Sequence, residues 1–183
     1  MVEPGPGILL ISDPFLKDPN FARTVVFLCE HHPEGTFGFV LNKNADRELR
    51  DLIRDAENIH FPVYEGGPVQ KDTLHFLHQR PELIEGGLEV TDGIYWGGNF
   101  EQVLELLREK QLGKKDIRFF LGYSGWSDGQ LENELKEKSW ITKQASRQLV
   151  FNMDATKVWK LALEDMGGEY SQMINYPLDP QLN

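Results

Sequence analysis

The alternation of apolar and polar positions predicts that the chain opens in β structure and then mixes strands with amphipathic helices. Ile8-Leu9-Leu10-Ile11 is a short apolar run, followed by two turn signals, Ser12-Asp13-Pro14 and Asp18-Pro19-Asn20. Thr24 to Cys29 is rich in β-branched and aromatic residues and reads as a central strand. Pro33-Glu34-Gly35 is a turn, and Thr36 to Leu41 a strand whose Gly38 suggests a bulge or a close backbone approach. Strand, tight turn and strand predict a hairpin.

Helical spacing begins with Leu49, Leu52, Ile53 and Ala56, on one face of a helix expected over Asp46 to Ala56. Pro62 to Glu65 leads into Gly66-Gly67-Pro68, a strong punctuator, and Thr73 to His78 and Leu88 to Trp96 read as further strands. Asn99 caps a second helix with stripe Phe100, Val103, Leu104 and Leu107, and Gln102 is spaced as its reciprocal partner. Ile117 to Tyr123 is a buried strand by composition. A third helix is expected from near Ser127, with Ser127 and Gln130 as a capping box, to about Lys138. Arg147 to Asn152 reads as a last strand. Asp154 caps a final helix with Val158, Trp159, Ala162 and Met166 inward, stopped by Gly167-Gly168.

Strands and helices do not alternate strictly, so a doubly wound parallel sheet is not supported. The pattern predicts an α+β fold: a mixed, largely antiparallel sheet, open to barrel-like closure, with about four helices packed outside. No repeat or long linker splits the chain. It reads as one domain over residues 1–183, with a surface tail from about residue 169.

Composition narrows the function classes. Hydrophobic residues make up 40% of the chain, with 11 Phe, 5 Tyr and 4 Trp, enough for a packed core. Asp and Glu number 29 against 19 Lys and Arg, a formal charge of −10, which opposes generic nucleic-acid binding and contact with anionic membranes. Cys29 is the only cysteine and lies in the apolar run Val25 to Cys29, so it reads as a core thiol. No signal-peptide pattern opens the chain and no apolar run approaches the roughly 20 residues that cross a bilayer. A soluble cytoplasmic protein is the expectation.

The candidate chemistry centres on Gly122-Tyr123-Ser124-Gly125-Trp126-Ser127-Asp128-Gly129-Gln130-Leu131. It resembles the G-x-S-x-G nucleophile elbow, but Trp126 stands where the second glycine is required, so Ser124 reads as a turn serine bonded to local backbone. Asp128, Glu132 and Glu134 would repel a phosphate at the following helix, and no Gly-Lys-Ser or Gly-Lys-Thr follows; a neutral or cationic ligand, or a peptide, fits better. His31 and His32 point to opposite faces of a strand, as do His75 and His78, and no metal-binding spacing occurs. Arg108, Lys110, Lys114, Lys115 and Arg118 read as a solvated basic face. Tyr123, Trp126, Gln130, Glu134 and Trp140 are the candidate groove, although such aromatics also serve to close a core edge.

Taken together, several segments resemble the bacterial YqgE/AlgH family. They are Gly7 to Pro14 with Asp18 to Val26; His31, Glu34-Gly35, Gly38 and Val40 to Lys43; Glu65 to Val69 with Leu74-His75; and Gly122 to Trp126 with Gly129-Gln130-Leu131, Glu134 and Trp140. The resemblance runs from residue 7 to about 167. Lys43-Asn44 departs from the family's usual basic residue and proline, and the Ser124 position is commonly alanine in relatives. Trp96 to Phe100 and Tyr176 to Pro180 resemble only a subset. The resemblance implies a compact α+β fold, brings no agreed catalytic or ligand residues, and includes members labelled transcriptional regulators.

The leading expectation is a non-enzymatic binding or regulatory module for a protein or small-molecule partner, with no cofactor. A hydrolase-type enzyme is the alternative; it would draw on Glu134, His31 or Asp13 as acid or base beside Arg23 or Gln130. A transcriptional regulator is the third reading. The residues fix no oligomeric state.

Overall fold

The structure, a computed structural model, describes residues 1–177. Ten strands form one continuous sheet: β1 (Ile8–Ser12), β2 (Val25–His32), β3 (Gly35–Val40), β4 (Asn44–Glu48), β5 (Pro62–Glu65), β6 (Val69–His78), β7 (Leu88–Thr91), β8 (Ile94–Trp96), β9 (Ile117–Ser127) and β10 (Trp140–Gln144). The main path runs β10-β1-β2-β3-β9-β6-β8-β7, with β4 and β5 branching from it. Every pairing is antiparallel except β5 with β9. The sheet curls into a half-barrel. Its two ends approach one another, where Gln144 Nε2 donates to Thr91 Oγ1 at 3.3 Å and Arg147 Nε donates to the carbonyl of Asp92 at 3.1 Å.

The eleven-residue β9 organises the sheet. One of its edges pairs with β5 over Phe119 to Leu121 and then with β3 over Ser124 to Ser127. Its other edge pairs with β6, ending at Val69↔Tyr123. Between them Gly66 to Pro68 crosses over β9. A Cβ on Gly67 would overlap the Tyr123 backbone, so the crossing needs a residue without one. Gly38 answers the same constraint in the hairpin: its Cβ would overlap the Phe27 carbonyl, opposite a bulge between Leu28 and Glu30.

Strand alternation distributes the core over both faces. On one face, Leu9, Ile11, Val25, Phe27, Phe39 and Phe120 pack under α4 (Arg147–Val150) and α5 (Val158–Met166). On the reverse face, Leu10, Val26, Leu28 and Val40 meet Trp126, Trp140 and Leu131 of α3 (Gln130–Lys136). A further cluster places Phe119, Phe76 and Val63 against α2 (Phe100–Arg108) and the one-turn α1 (Leu49–Leu52). The last described helix, α6 (Gly168–Gln172), and the turn after it return Tyr170, Met173 and Ile174 to the first cluster. Residues 178–183, including the end of the Tyr176 to Pro180 segment, lie outside the described residues.

Several elements differ from the sequence expectation. Asp46 to Ala56 is not one helix: Asn44 to Glu48 pairs with β5, and only one α turn and a 3-10 turn follow. Arg147 to Asn152 holds the single helical turn α4, capped by Ser146, whose Oγ accepts from Leu149 N–H at 3.2 Å. The last strand is instead β10, on the far edge beside β1. Asn99 caps α2 as expected, but Gln102 Oε1 accepts from Glu85 N–H at 2.9 Å instead of closing the box. Six helices, not about four, cover the sheet among the described residues.

Candidate functional site

Gly122 to Ser127 is strand throughout, which changes the meaning of its residues. Ser124 is fully buried in β9, and its Oγ donates to the carbonyl of Gly66 at 3.0 Å. It is a strand serine that fastens the crossing segment, not a turn serine bonded to neighbouring backbone and not an exposed nucleophile. The helix begins only after Gly129, which occupies the left-handed region at φ 75°. Gln130 still supplies the reciprocal half of the capping arrangement, since its Oε1 accepts from Ser127 N–H at 3.0 Å.

Four of the five groove candidates form one hydrogen-bonded unit. Trp126 Nε1 and Trp140 Nε1 both donate to Glu134 Oε1, at 3.1 and 2.9 Å, and Gln130 Nε2 donates to Glu134 Oε2 at 3.0 Å. The two indoles lie 6.0 Å apart, edge to face, and are only 4% and 2% exposed. One half-buried carboxylate thus satisfies two buried donors, which would otherwise be costly. This unit closes the reverse-face core.

Tyr123 points the other way. Because side chains alternate along β9, it shares a face with Gly125 and Ser127 and borders an open groove of about 670 Å³. The floor is Phe37, Val69, His75, Trp96 and Tyr123; the rim includes Glu30, Glu34, Ser127 and Gln130. Trp126 borders it from β9 while its indole packs behind. Phe37 is the hub of the floor, with ring centroids 5.0 Å from Trp96 and 5.7 Å from Tyr123. Among the described residues no lysine or arginine lines the groove.

The other titratable candidates have local partners. His31 Nδ1 and Thr36 Oγ1 share a 2.6 Å hydrogen bond, and His31 Nε2 lies 3.7 Å from Glu132. Asp13 Oδ1 accepts from Phe15 N–H at 2.9 Å in a turn. Arg23 donates to the Tyr176 carbonyl at 2.6 Å and lies over the Trp159 ring at 4.7 Å. Burial lowers the His75 pKa. It also lowers that of the fully buried His78, against the raising effects of the Gly97 carbonyl and Glu82. His78 Nδ1 accepts from Arg80 N–H and Nε2 donates to Gly97, both at 3.1 Å, which fixes a neutral ring. Burial, with Glu30 adding to it, pushes the Cys29 thiol well up, as suits a core residue. Arg118 departs from the solvated basic face: it is buried, stacks over Tyr64 at 4.5 Å and donates to the Asn152 carbonyl. Burial lowers its pKa. Among the described residues no group of three His, Cys, Asp or Glu is placed to hold a metal, and no helix is long and apolar enough to cross a membrane.

Sequence reasoning missed Phe37, Val69, His75 and Trp96 as a shared surface. In the sequence Phe37, His75 and Trp96 read only as members of separate strands and Val69 as part of no strand, and only the register of β3 and β6 on β9 gathers them.

Comparison with known proteins agrees with this architecture. The chain is 42% identical over 178 residues to a UPF0301 protein of Chlorobium limicola, covering 97% of this chain and 95% of that one. It is 44% identical over 178 residues to UPF0301 protein CT0663 of Chlorobaculum tepidum, with the same coverage. The solution structure of the AlgH protein from Pseudomonas aeruginosa superposes with a TM-score of 0.73 at 28% identity, covering 98% of this chain and all of that one. The crystal structure of DIP2367 from Corynebacterium diphtheriae shares the fold, with a TM-score of 0.82 at 21% identity and coverage of 96% and 94%. Residues 9–171 match the family described as AlgH-like, and the chain belongs to that family.

Proposed function

We propose that this chain is a non-enzymatic binding or regulatory module of the cytoplasm, and that its ligand site is the groove between Phe37, Trp96 and Tyr123. The observation that carries this reading is an open aromatic floor beneath a rim bearing Glu30 and Glu34, with no lysine or arginine among the described residues of its lining. Aromatic and aliphatic surface left half-exposed in one concavity gains free energy when covered, roughly 25 cal/mol per Å². The acidic rim sets the sign of the guest: neutral or cationic groups are accepted, anions repelled.

Tryptamine and indole-3-acetate test this directly, because they carry one ring system and opposite charges. Tryptamine is expected to shift the amide resonances of Phe37, Trp96, Tyr123 and Gln130 in a saturable titration; indole-3-acetate is expected to leave them unmoved. Tyr123→Ala should weaken the response. Equal binding of both probes, or shifts confined to other surfaces, refutes the assignment. Trp126→Ala is a poor test, since removing a buried indole costs about 3–5 kcal/mol of stability whatever the groove does.

A further inference from the structure

We infer that the groove takes its ligand as an extended peptide, which adds a short strand to the open edge of β9 at Gly125 to Ser127. This rests on the groove reading above and specifies the partner and how it is held.

The edge exists because the topology leaves it. β3 covers one side of β9 as far as Ser127. On the other side β6 reaches only Tyr123, because the chain before Val69 turns away to cross β9 through Gly66 to Pro68. Among the described residues no strand pairs with Gly125 to Ser127 on that side. Backbone parity gives the direction of the unused groups. Ser127 N–H bonds the Gln130 side chain, so Gly35↔Ser127 is a non-hydrogen-bonded pair of the β3–β9 ladder. In an antiparallel ladder the alternate pairs Thr36↔Trp126 and Gly38↔Ser124 then exchange the bonds, and the N–H and C=O of exposed Gly125 face the open side.

That edge runs along the aromatic groove, which is the combination strand addition uses: main-chain bonds for affinity and pockets for alternate side chains. Gly125 has no side chain, so the floor between Tyr123 and Ser127 is free for one from the guest. A Cβ built at Gly125 meets nothing nearer than Tyr123 Cε2, at 3.7 Å. Gln130 closes the far end by holding Ser127 N–H. Glu30 and Glu34 favour lysine or arginine beside the inserted apolar residue. The chemistry specified is an extended segment alternating apolar with basic residues.

The test uses the full-length chain and a fluorescein-labelled hexapeptide amide, Lys-Val-Lys-Trp-Lys-Val. Three companions are its glutamate-for-lysine counterpart, the same hexapeptide N-methylated at alternate residues, and its register partner methylated at the others. The lysine peptide should bind and slow hydrogen exchange at the Gly125 amide; the glutamate peptide should not. One methylated series should bind about fivefold or more weakly, from loss of the guest N–H that donates to the Gly125 carbonyl. Gly125→Val should abolish binding with an unchanged melting temperature, because its side chain fills the floor while its Cβ meets only Tyr123 Cε2 at 3.7 Å and the Thr36 carbonyl at 3.9 Å, both ordinary contacts. If both methylated series bind like the parent while Gly125→Val and Tyr123→Ala still lose it, strand addition is overturned and the groove reading stands. If the lysine peptide does not bind, strand addition is overturned, and tryptamine alone judges the groove.

Discussion

Replacing Glu134 by alanine removes one acceptor from two buried indoles at once. Trp126 Nε1 and Trp140 Nε1 lose their 3.1 and 2.9 Å bonds to Oε1, and Gln130 Nε2 loses its 3.0 Å bond to Oε2. Gln130 is exposed and regains water, so its share is small. Each indole N–H belongs to a side chain under 5% exposed. Leaving such a donor unpaired costs about 1–3 kcal/mol. Because the carboxylate is only half-buried, water can enter the vacated space, which favours the lower part of that range. The expected loss is therefore about 2–4 kcal/mol, a large share of the stability of a domain this size. At roughly 2–4 °C per kcal/mol, the melting temperature should fall by about 4–16 °C. Glu134→Gln keeps a carbonyl oxygen for both indoles and should cost under about 1.5 kcal/mol. Urea unfolding of the wild type, both variants and the double change with Trp140→Phe completes the measurement. In the alanine background, Trp140→Phe should cost about 1 kcal/mol less than it does alone, because no bond remains to lose. A Glu134→Ala cost under 0.5 kcal/mol (on the order of a solvent-exposed substitution), or equal costs for alanine and glutamine, refutes the reasoning.

Acid should weaken the fold through His78. Its folded pKa lies below its ordinary value of 6.5, so the folded state resists a proton that the unfolded chain accepts. The stability is fully present above about pH 6.5 and declines as pH falls from there through the folded value, with His75 contributing in the same direction. His78→Gln should flatten the slope of unfolding free energy between pH 7.5 and 5.5 (roughly one unit either side of that value); an unchanged slope would sink the assignment. Ser124 should resist a fluorophosphonate probe in the native protein, and Ser124→Ala should cost about 1 kcal/mol from the lost bond to Gly66. Labelling at Ser124, read by peptide mass mapping, would reverse that conclusion.

The features legible in the sequence were those written in short-range chemistry. The Ile8, Thr24 and Thr36 strands, the Asn99 cap and the apolar stripe of the Val158 helix appear where the pattern placed them, although Asp154 caps a 3-10 turn ahead of that helix and Gly168 opens α6 after it. The errors fall where partners decide. Leu49, Leu52, Ile53 and Ala56 have helical spacing, yet pairing with β5 draws Asn44 to Glu48 into a strand before one helical turn can form. Trp140-Ile141-Thr142 is a strand-favouring run too short to be singled out by pattern, and it becomes β10 on the edge that β1 offers. Trp126 and Tyr123, three residues apart, face opposite ways on a strand, but that parity is hidden in the sequence because the expected strand ends at Tyr123.

By itself the sequence determined the class of the protein and its composition-level constraints: an acidic α+β chain, a hydrophobic core rich in large rings, a family resemblance in the order of its glycine motifs. Those follow from local propensity and from charge, which need no partner to be read. The tertiary structure decided which aromatics are core and which are surface, because strand parity and register are set by pairing between distant segments. β9 is where this matters most. The crossing at Gly66 to Pro68 ends β6 at Val69, and that long-range steric fact leaves both the Tyr123 face and the Gly125 edge open.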